Sequence, residues 1–383
     1  MSKPDLSIVA AMGVAGIAGA TLGLAFPLLA LNLDDWGVDP AGIGFFTLAA
    51  AISTLIATPL VPPMLARAPL RLVLIAALAA LALVFVGYHF ARDFWAWMGL
   101  RTIGGMAFAF LFVGCEAWIL ERTPAPRRGL IIGIFASVVA GSMAVGGIVI
   151  GLLGHTGAAP FLAGAGLAVA GMAFALLPGP ALTAPEGAAA RPSALLARIA
   201  AAPAVMMAPF IMGAVEIAKY NLIPIYARRV GLGDDTAALM VTASGVGVLL
   251  LQPLIGLLAD RLGVRLTLAL CAACGVGLPI ALLAVAAAPG PALALTALYS
   301  GTVTGLYTVG LIWLAQRFQG GDLAGANAAY ALAYGMGQLL GPAVAGPSFA
   351  AYGPPGFIAA LAGFSALYLA GLAVANRRRA RRA

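Results

Sequence analysis

Ionisable side chains are scarce in this sequence. Only 9% of its 383 residues are Asp, Glu, Lys or Arg, where a soluble domain carries about a quarter. With 63% hydrophobic side chains, no soluble core could hide so much apolar surface, and the matching solvent is lipid. Cysteine is nearly missing too. Cys115, Cys271 and Cys274 all lie inside apolar runs, which excludes a disulfide framework. Cys271 and Cys274 form a C-x-x-C, but no second cysteine or histidine pair completes a zinc site. Neither a metal nor a cofactor is expected. The two histidines, His89 and His155, sit at the ends of apolar runs and make no catalytic pair. No Walker-type glycine loop is present, which excludes an ATP-driven pump on this chain alone. Nothing supplies the repeated carbonyls or charge rings of a channel filter.

Glycine and proline, by contrast, are plentiful at 49 and 25 residues, as membrane helices tolerate. The net charge of +8 comes in short clusters between apolar runs. That excludes a nucleic-acid stripe and reads as a topology signal. Twelve spans are expected, at 6–31, 40–64, 70–90, 94–120, 129–153, 158–178, 203–227, 236–258, 266–288, 291–315, 323–350 and 355–375. The first exceeds the roughly 7–15 residues of a signal-peptide core, so it reads as a span. The Pro-, Ala- and Gly-rich stretch 179–202 reads as a linker with a short surface helix at 193–201. The chain then divides into a six-helix bundle over 1–178, a cytoplasmic linker over 179–202, and a second six-helix bundle over 203–383 with a basic cytoplasmic tail.

Orientation follows from Lys and Arg. Sixteen lie in the even-to-odd loops and the termini, three (Arg92, Arg228 and Arg229) lie on the opposite side, and Arg101 and Lys219 sit inside spans. Both termini are therefore expected in the cytoplasm. The other side is acidic, with Asp34, Asp35, Asp39, Asp234 and Asp235. A shift of 194 residues lays TPLVPPMLARAPLRLVL (58–74) on QPLIGLLADRLGVRLTL (252–268), matching Pro59, Leu60, Arg67, Arg71, Leu72 and Leu74, with Gly37 on Gly231 in the same register. A shift of 196 lays Gly105, Val113, Gly114, Gly129 and Gly141 on Gly301, Val309, Gly310, Gly325 and Gly337. Two duplicated halves of six helices are the parallel repeat of a secondary transporter, with a site at the interface of the halves.

The second copy of that loop carries a resemblance. Gly256-Leu-Leu-Ala-Asp260-Arg261-Leu-Gly263-Val-Arg265 resembles the loop signature G-x-x-x-D-[RK]-x-G-[RK]-[RK] of the major facilitator superfamily. Val264 replaces a basic residue there. The first copy keeps Arg67 and Arg71 but has Pro62 for the glycine and Ala66 for the aspartate. Arg101-x-x-x-Gly105 and GQLLGP (337–342) are also similar to family patterns, and GSMAVGG (141–147) lacks the proline of the antiporter signature. The stretch RTIGGMAFAFLFVGCEAWIL, the compact length and the short linker resemble the YcaD-like bacterial branch. The resemblance implies an all-α membrane protein, with twelve transmembrane helices in two pseudo-symmetric six-helix bundles. It also implies a cytoplasmic latch of Gly256, Asp260, Arg261, Gly263 and Arg265. In that latch Asp260 meets a helix N-terminus and a basic partner in one state only. The plainer alternative is that these charges mark topology.

An ionisable residue at mid-span costs roughly 2.5–3.5 kcal/mol on insertion scales, so it needs a cavity or a partner. Four such residues stand out: Arg101, Glu116, Glu216 and Lys219. Arg101, Phe108, Phe112 and Glu116 share one helical face that could line a passage. A carboxyl at the depth of Glu116 suits proton carriage. The plainer alternatives are a snorkelling Arg101 and a structural hydrogen bond for Glu116. Glu216 and Lys219 are three apart and can pair on the helix surface, either as structure or as a switch opened by a proton or solute. Tyr220 shares their face, and Asn221 comes next. Asn327, Tyr330, Tyr334 and Gln338 fall within about 80° of arc as a cavity wall, and Ser300, Thr304 and Tyr307 continue it.

The expected function is a secondary transporter moving a small organic solute across a bacterial inner membrane, proton-coupled, as a monomer. Glu116, Glu216 and Arg101 are the coupling candidates, and the remaining polar and aromatic residues above would touch solute. Multidrug efflux by proton antiport is the alternative. A remoter one is an intramembrane enzyme using NLDDWGVD (32–39) to hold magnesium, although hard cations want more converging oxygens than this loop offers.

Overall fold

The computed structural model describes residues 6–123, 128–177, 192–285, 288–318 and 321–380, and the described residues contain no strand. Residue 178 of the expected span 158–178, residues 286 and 287 of the expected span 266–288, and residues 179–191 of the expected linker 179–202 lie outside them. Among the described residues there are thirteen α-helices: α1 Leu6–Asp35, α2 Pro40–Ala57, α3 Val61–Leu65, α4 Leu70–Phe90, α5 Phe94–Arg122, α6 Arg128–Leu153, α7 Ala159–Ala175, α8 Pro192–Ala201, α9 Pro203–Arg229, α10 Asp234–Leu262, α11 Val264–Ala284, α12 Pro289–Arg317 and α13 Gly321–Ala380. Eight helical stretches among the described residues are long and apolar enough to cross a membrane. Two compact units result, Met1–Gly37 with Phe46–Gly187, and Val38–Phe45 with Ala188–Ala383.

Three expected spans differ in detail. The second is broken: α2 stops at Ala57, a 3-10 turn covers Thr58–Leu60, and α3 resumes for five residues. Pro59, Pro62 and Pro63 remove three backbone donors there, so a regular ladder cannot run through. The last two spans are joined without a loop. Gly353 alone leaves helical geometry, at φ 64 and ψ −156, just before Pro354 and Pro355. The Ser348 hydroxyl donates across this reversal to the Gly356 carbonyl at 2.8 Å.

The duplication is visible in the backbone of each unit. Gly37 ends α1 at φ 78, and Gly231 ends α9 at φ 85, the left-handed region that side chains disfavour. Gly19 of α1 lies against the Val139 carbonyl and Ser142 of α6. Its counterpart at a shift of 194, Gly213 of α9, lies against the Tyr334 carbonyl and the Gln338 backbone of α13. Gly105 of α5 meets Ala50 of α2, as Gly301 of α12 meets Gly247 of α10. The carbonyl of each glycine accepts a side-chain donor: Thr54 to Gly105 at 3.0 Å, Gln252 to Gly301 at 2.9 Å. Small residues let helix backbones close in lipid, where no hydrophobic force drives them together.

Helix ends within each unit are pinned by polar side-chain contacts. In the first unit His155 Nε2 lies 2.8 Å from Asp35 Oδ2, and Asn32 donates to the His155 carbonyl at 2.7 Å. In the second, Arg228 makes a two-pronged contact with Asp234, at 2.6 and 3.0 Å.

Candidate functional site

The second unit holds the denser polar cluster. Glu216 and Lys219 lie near the middle of α9, but the ion pair allowed by their spacing is not formed. Lys219 Nζ instead donates to Ser300 Oγ of α12 at 2.6 Å and lies 4.2 Å from the centre of the Tyr220 ring. Glu216 Oε2 accepts from the Tyr334 hydroxyl of α13. Lys219 is only 3% exposed, and a charge so buried must find partners. Here the two charges find them on two different helices.

An aromatic wall stands beside these charges. The Tyr307 ring is 5.2 Å from Tyr330 and 5.3 Å from Tyr334, edge-on to both. The Tyr330 hydroxyl donates to the Tyr307 carbonyl at 2.6 Å. It occupies the place where a Cβ on Gly310 would stand. Gln338, half-buried, lies one turn beyond Tyr334, and Thr304 bonds the Ser300 carbonyl of its own helix at 2.8 Å. Two predicted members are not drawn in. The Asn221 amide donates to Ile217 of its own helix at 2.9 Å and is buried. Asn327 is exposed near the start of α13.

In the first unit the charges of α5 are far apart. Fifteen residues of helix put Arg101 and Glu116 about 22 Å from each other. Arg101 does not snorkel. It is 6% exposed, 5.9 Å from the Phe26 ring centre and 5.7 Å from that of Phe46, and its Nε has no partner. Phe46 in turn packs on Phe94 and Trp97, and Trp97 on Trp36 and Tyr88. Phe108 and Phe112 stack at 6.0 Å, with Phe135 beyond them. Glu116 is half-buried and has no hydrogen-bond partner among the described residues.

The signature loop is partly engaged. Gly263, at φ 81, caps α10 through its N–H to the Ala259 carbonyl at 3.0 Å and starts α11. Its first-half counterpart is Pro69, at φ −57, so that turn is built differently. Arg265 turns away from Asp260. It donates to Asn376 at 3.1 Å and lies 5.2 Å over Trp313. Asp260 and Arg261 are exposed, and a Cβ on Gly256 would meet open space.

Sequence reasoning missed three features. Gln252 accepts from Thr308 at 2.5 Å while donating to Gly301, bridging α10 and α12. A lone amide in an apolar run was the available signal. Trp313 and the aromatic surroundings of Arg101 come from different helices, and nothing in the local pattern pairs them.

The model of the Major Facilitator Superfamily matches residues 9–233 and, again, 205–383. The chain belongs to that superfamily. This superfamily member is 25% identical over 376 residues to the uncharacterized MFS-type transporter YcaD of Salmonella typhimurium, covering 96% of this chain and 94% of that one. It is 21% identical over 258 residues to YfkF of Bacillus subtilis, covering 65% of each chain. The crystal structure of the nucleoside transporter NupG superposes with a TM-score of 0.78 at 15% identity, covering 96% of this chain and 98% of that one. At that identity the likeness is one of fold alone. The chain is thus a multi-pass membrane transporter of twelve transmembrane helices in two pseudo-symmetric bundles.

Proposed function

We propose that this transporter moves a small organic solute across the bacterial inner membrane in exchange or company with protons. The halves 1–178 and 203–383 would rock about the site to give alternating access. Both termini and the linker would lie in the cytoplasm, where the basic loops are favoured. The protein would work as a monomer. One observation carries the reading: Glu216 and Lys219 sit at mid-depth of α9 beside a tyrosine wall, each bonded to a different helix. A proton or solute that displaces either bond changes how α9 is tied to α12 or α13. Glu116, with no partner among the described residues, is the second proton candidate.

Two other readings have less support. Multidrug antiport lacks its proline in GSMAVGG. An enzyme built on 32–39 would need free carboxylates, but Asp35 pairs with His155, and Asp39 accepts from the Gly42 N–H at 2.7 Å to start α2.

The test begins with a thermal-shift screen of the purified chain against metabolites, vitamins and drugs. A ligand at 100 times its dissociation constant adds about 2.7 kcal/mol. Hits then go to proteoliposomes holding a pH-sensitive dye. The expected result is solute-driven proton flux that Glu216→Gln or Glu116→Gln abolishes. Binding only of diverse lipophilic cations, indifferent to Lys219→Ala, would move the assignment to multidrug efflux. Solute flux with no proton movement would sink the coupling.

A further inference from the structure

The Glu216–Lys219 cluster, taken as the solute site of the transporter just proposed, carries no net charge, and this limits what it can hold at mid-membrane. Lys219 uses one of its three ammonium donors on Ser300 Oγ. The Ser300 hydroxyl has no acceptor for its own hydrogen among the described residues. An ammonium and a hydroxyl, 2.6 Å apart, therefore offer adjacent donors, the arrangement that a carboxylate accepts through its two oxygens. Flat faces stand further along α12 and α13, at Tyr307, Tyr330 and Tyr334, and the Tyr334 hydroxyl reaches Glu216. Glu216, Tyr307 and Tyr334 are half-buried, and their exposed parts would be the way in.

Charge must also balance. Lys219 and Glu216 cancel when the site is empty. Adding a monoanion leaves one net negative charge at a depth where unpaired charge is costly. Adding one proton to Glu216 restores neutrality. We propose that the site takes a planar organic monoanion, a carboxylate on a flat body, together with one proton that neutralises Glu216. The proton comes from water to a carboxylate oxygen of Glu216, and Tyr334 can keep its hydrogen bond to the other oxygen. No covalent bond of the solute changes, and release of the anion returns the proton.

The groups around Glu216 are few. Tyr334 bonds it from α13, with Gln338 one turn further on, Tyr307 and Ser300 stand on α12, and Lys219 and Tyr220 are on α9 itself. Also packed on α9 are α8 and α10. Their charged residues, Arg198, Asp234, Asp235, Asp260 and Arg261, lie at or near helix ends. No other charge at this depth in these helices competes for the role.

The experiment uses the full chain in detergent with four small probes: benzoate, neutral benzamide, cationic benzylamine and zwitterionic phenylalanine. Thermal stabilisation is measured between pH 6 and pH 8, where benzoate stays ionised. Benzoate is expected to stabilise, and the other three are not. Its apparent affinity should fall by up to about tenfold per pH unit as pH rises, because one proton is bound with it. Glu216→Gln should keep benzoate binding and lose that slope. A pH indicator should report about one proton taken up per benzoate by the unmodified protein, which keeps the test open if the variant fails to fold. The proposal is overturned by benzamide matching benzoate, by phenylalanine binding without pH dependence, by a slope that survives in Glu216→Gln, or by no benzoate shift. Any of these leaves the transporter reading standing if the metabolite screen still yields proton-linked flux. Benzoate binding without such flux in any screen would sink transport and keep the site.

Discussion

The two units share a skeleton and differ in what it carries. At a shift of 194, Glu216, Lys219 and Tyr220 of α9 fall on Leu22, Ala25 and Phe26 of α1. Both helices touch their neighbour through the same glycine, Gly19 or Gly213. Yet one helix is apolar at mid-depth and the other carries two charges. The aromatic at the shared position faces a cation in both units, Phe26 beneath Arg101 and Tyr220 beneath Lys219. The cation comes from α5 in one case and from α9 itself in the other. The lesson is a separation of tasks. Small residues that bring backbones together stay in register, while ionisable residues occupy the positions between them.

The sharpest way to break this comparison is to attack the shared skeleton. Gly105→Leu and Gly301→Leu each place a side chain against a facing backbone. Each should cost about 3 kcal/mol, the upper end for overpacking, read as lost thermal stability and lost monodisperse protein. A large effect at one glycine and none at the other would end the claim of equivalent scaffolds. The next effect concerns the two cations. Arg101→Met should leave stability unchanged or raise it by up to about 2.5 kcal/mol, since the buried Nε has no partner. A clear loss would show that the contacts of the guanidinium with Tyr88, Phe26 and Phe46 outweigh the cost of its burial. Smaller still is the bridge on α10. Gln252→Leu should cost about 0.6–1.7 kcal/mol, the range for interhelical hydrogen bonds in membranes. Thr54→Val, which removes one bond at the matching place in the first unit, should cost less. Last comes the loop: Trp313→Leu should cost about 0.5–1 kcal/mol through the lost Arg265 stack, measured as a thermal shift that disappears in an Arg265→Gln background.

Much of the fold was legible in the sequence, because bilayer thickness dictates apolar run length. Gly37 and Gly231 matched in register, and both hold the left-handed backbone that suits glycine. The proline-broken second span and the loopless reversal at Gly353 were not foreseen, because run length is blind to backbone direction. The candidate site was legible as a set of residues but not as contacts. Glu216 and Lys219 looked like a pair from their spacing, yet partners on α12 and α13 are closer. Asn221 donates one amide hydrogen to its own helix, a bond its place in the sequence did not announce. Such choices depend on the rotation of each helix against its neighbours, which one helix's periodicity does not contain.

The reversal at Gly353 has a consequence for how the chain enters the membrane. No charged residue occurs from Leu323 to Asn376, so nothing at the turn anchors it on either side. The two final spans should leave the translocon as one helical hairpin rather than one after the other. Their direction is then set by the run of arginines that begins at Arg377. Removing those arginines would leave the spans intact and take away their sense of direction.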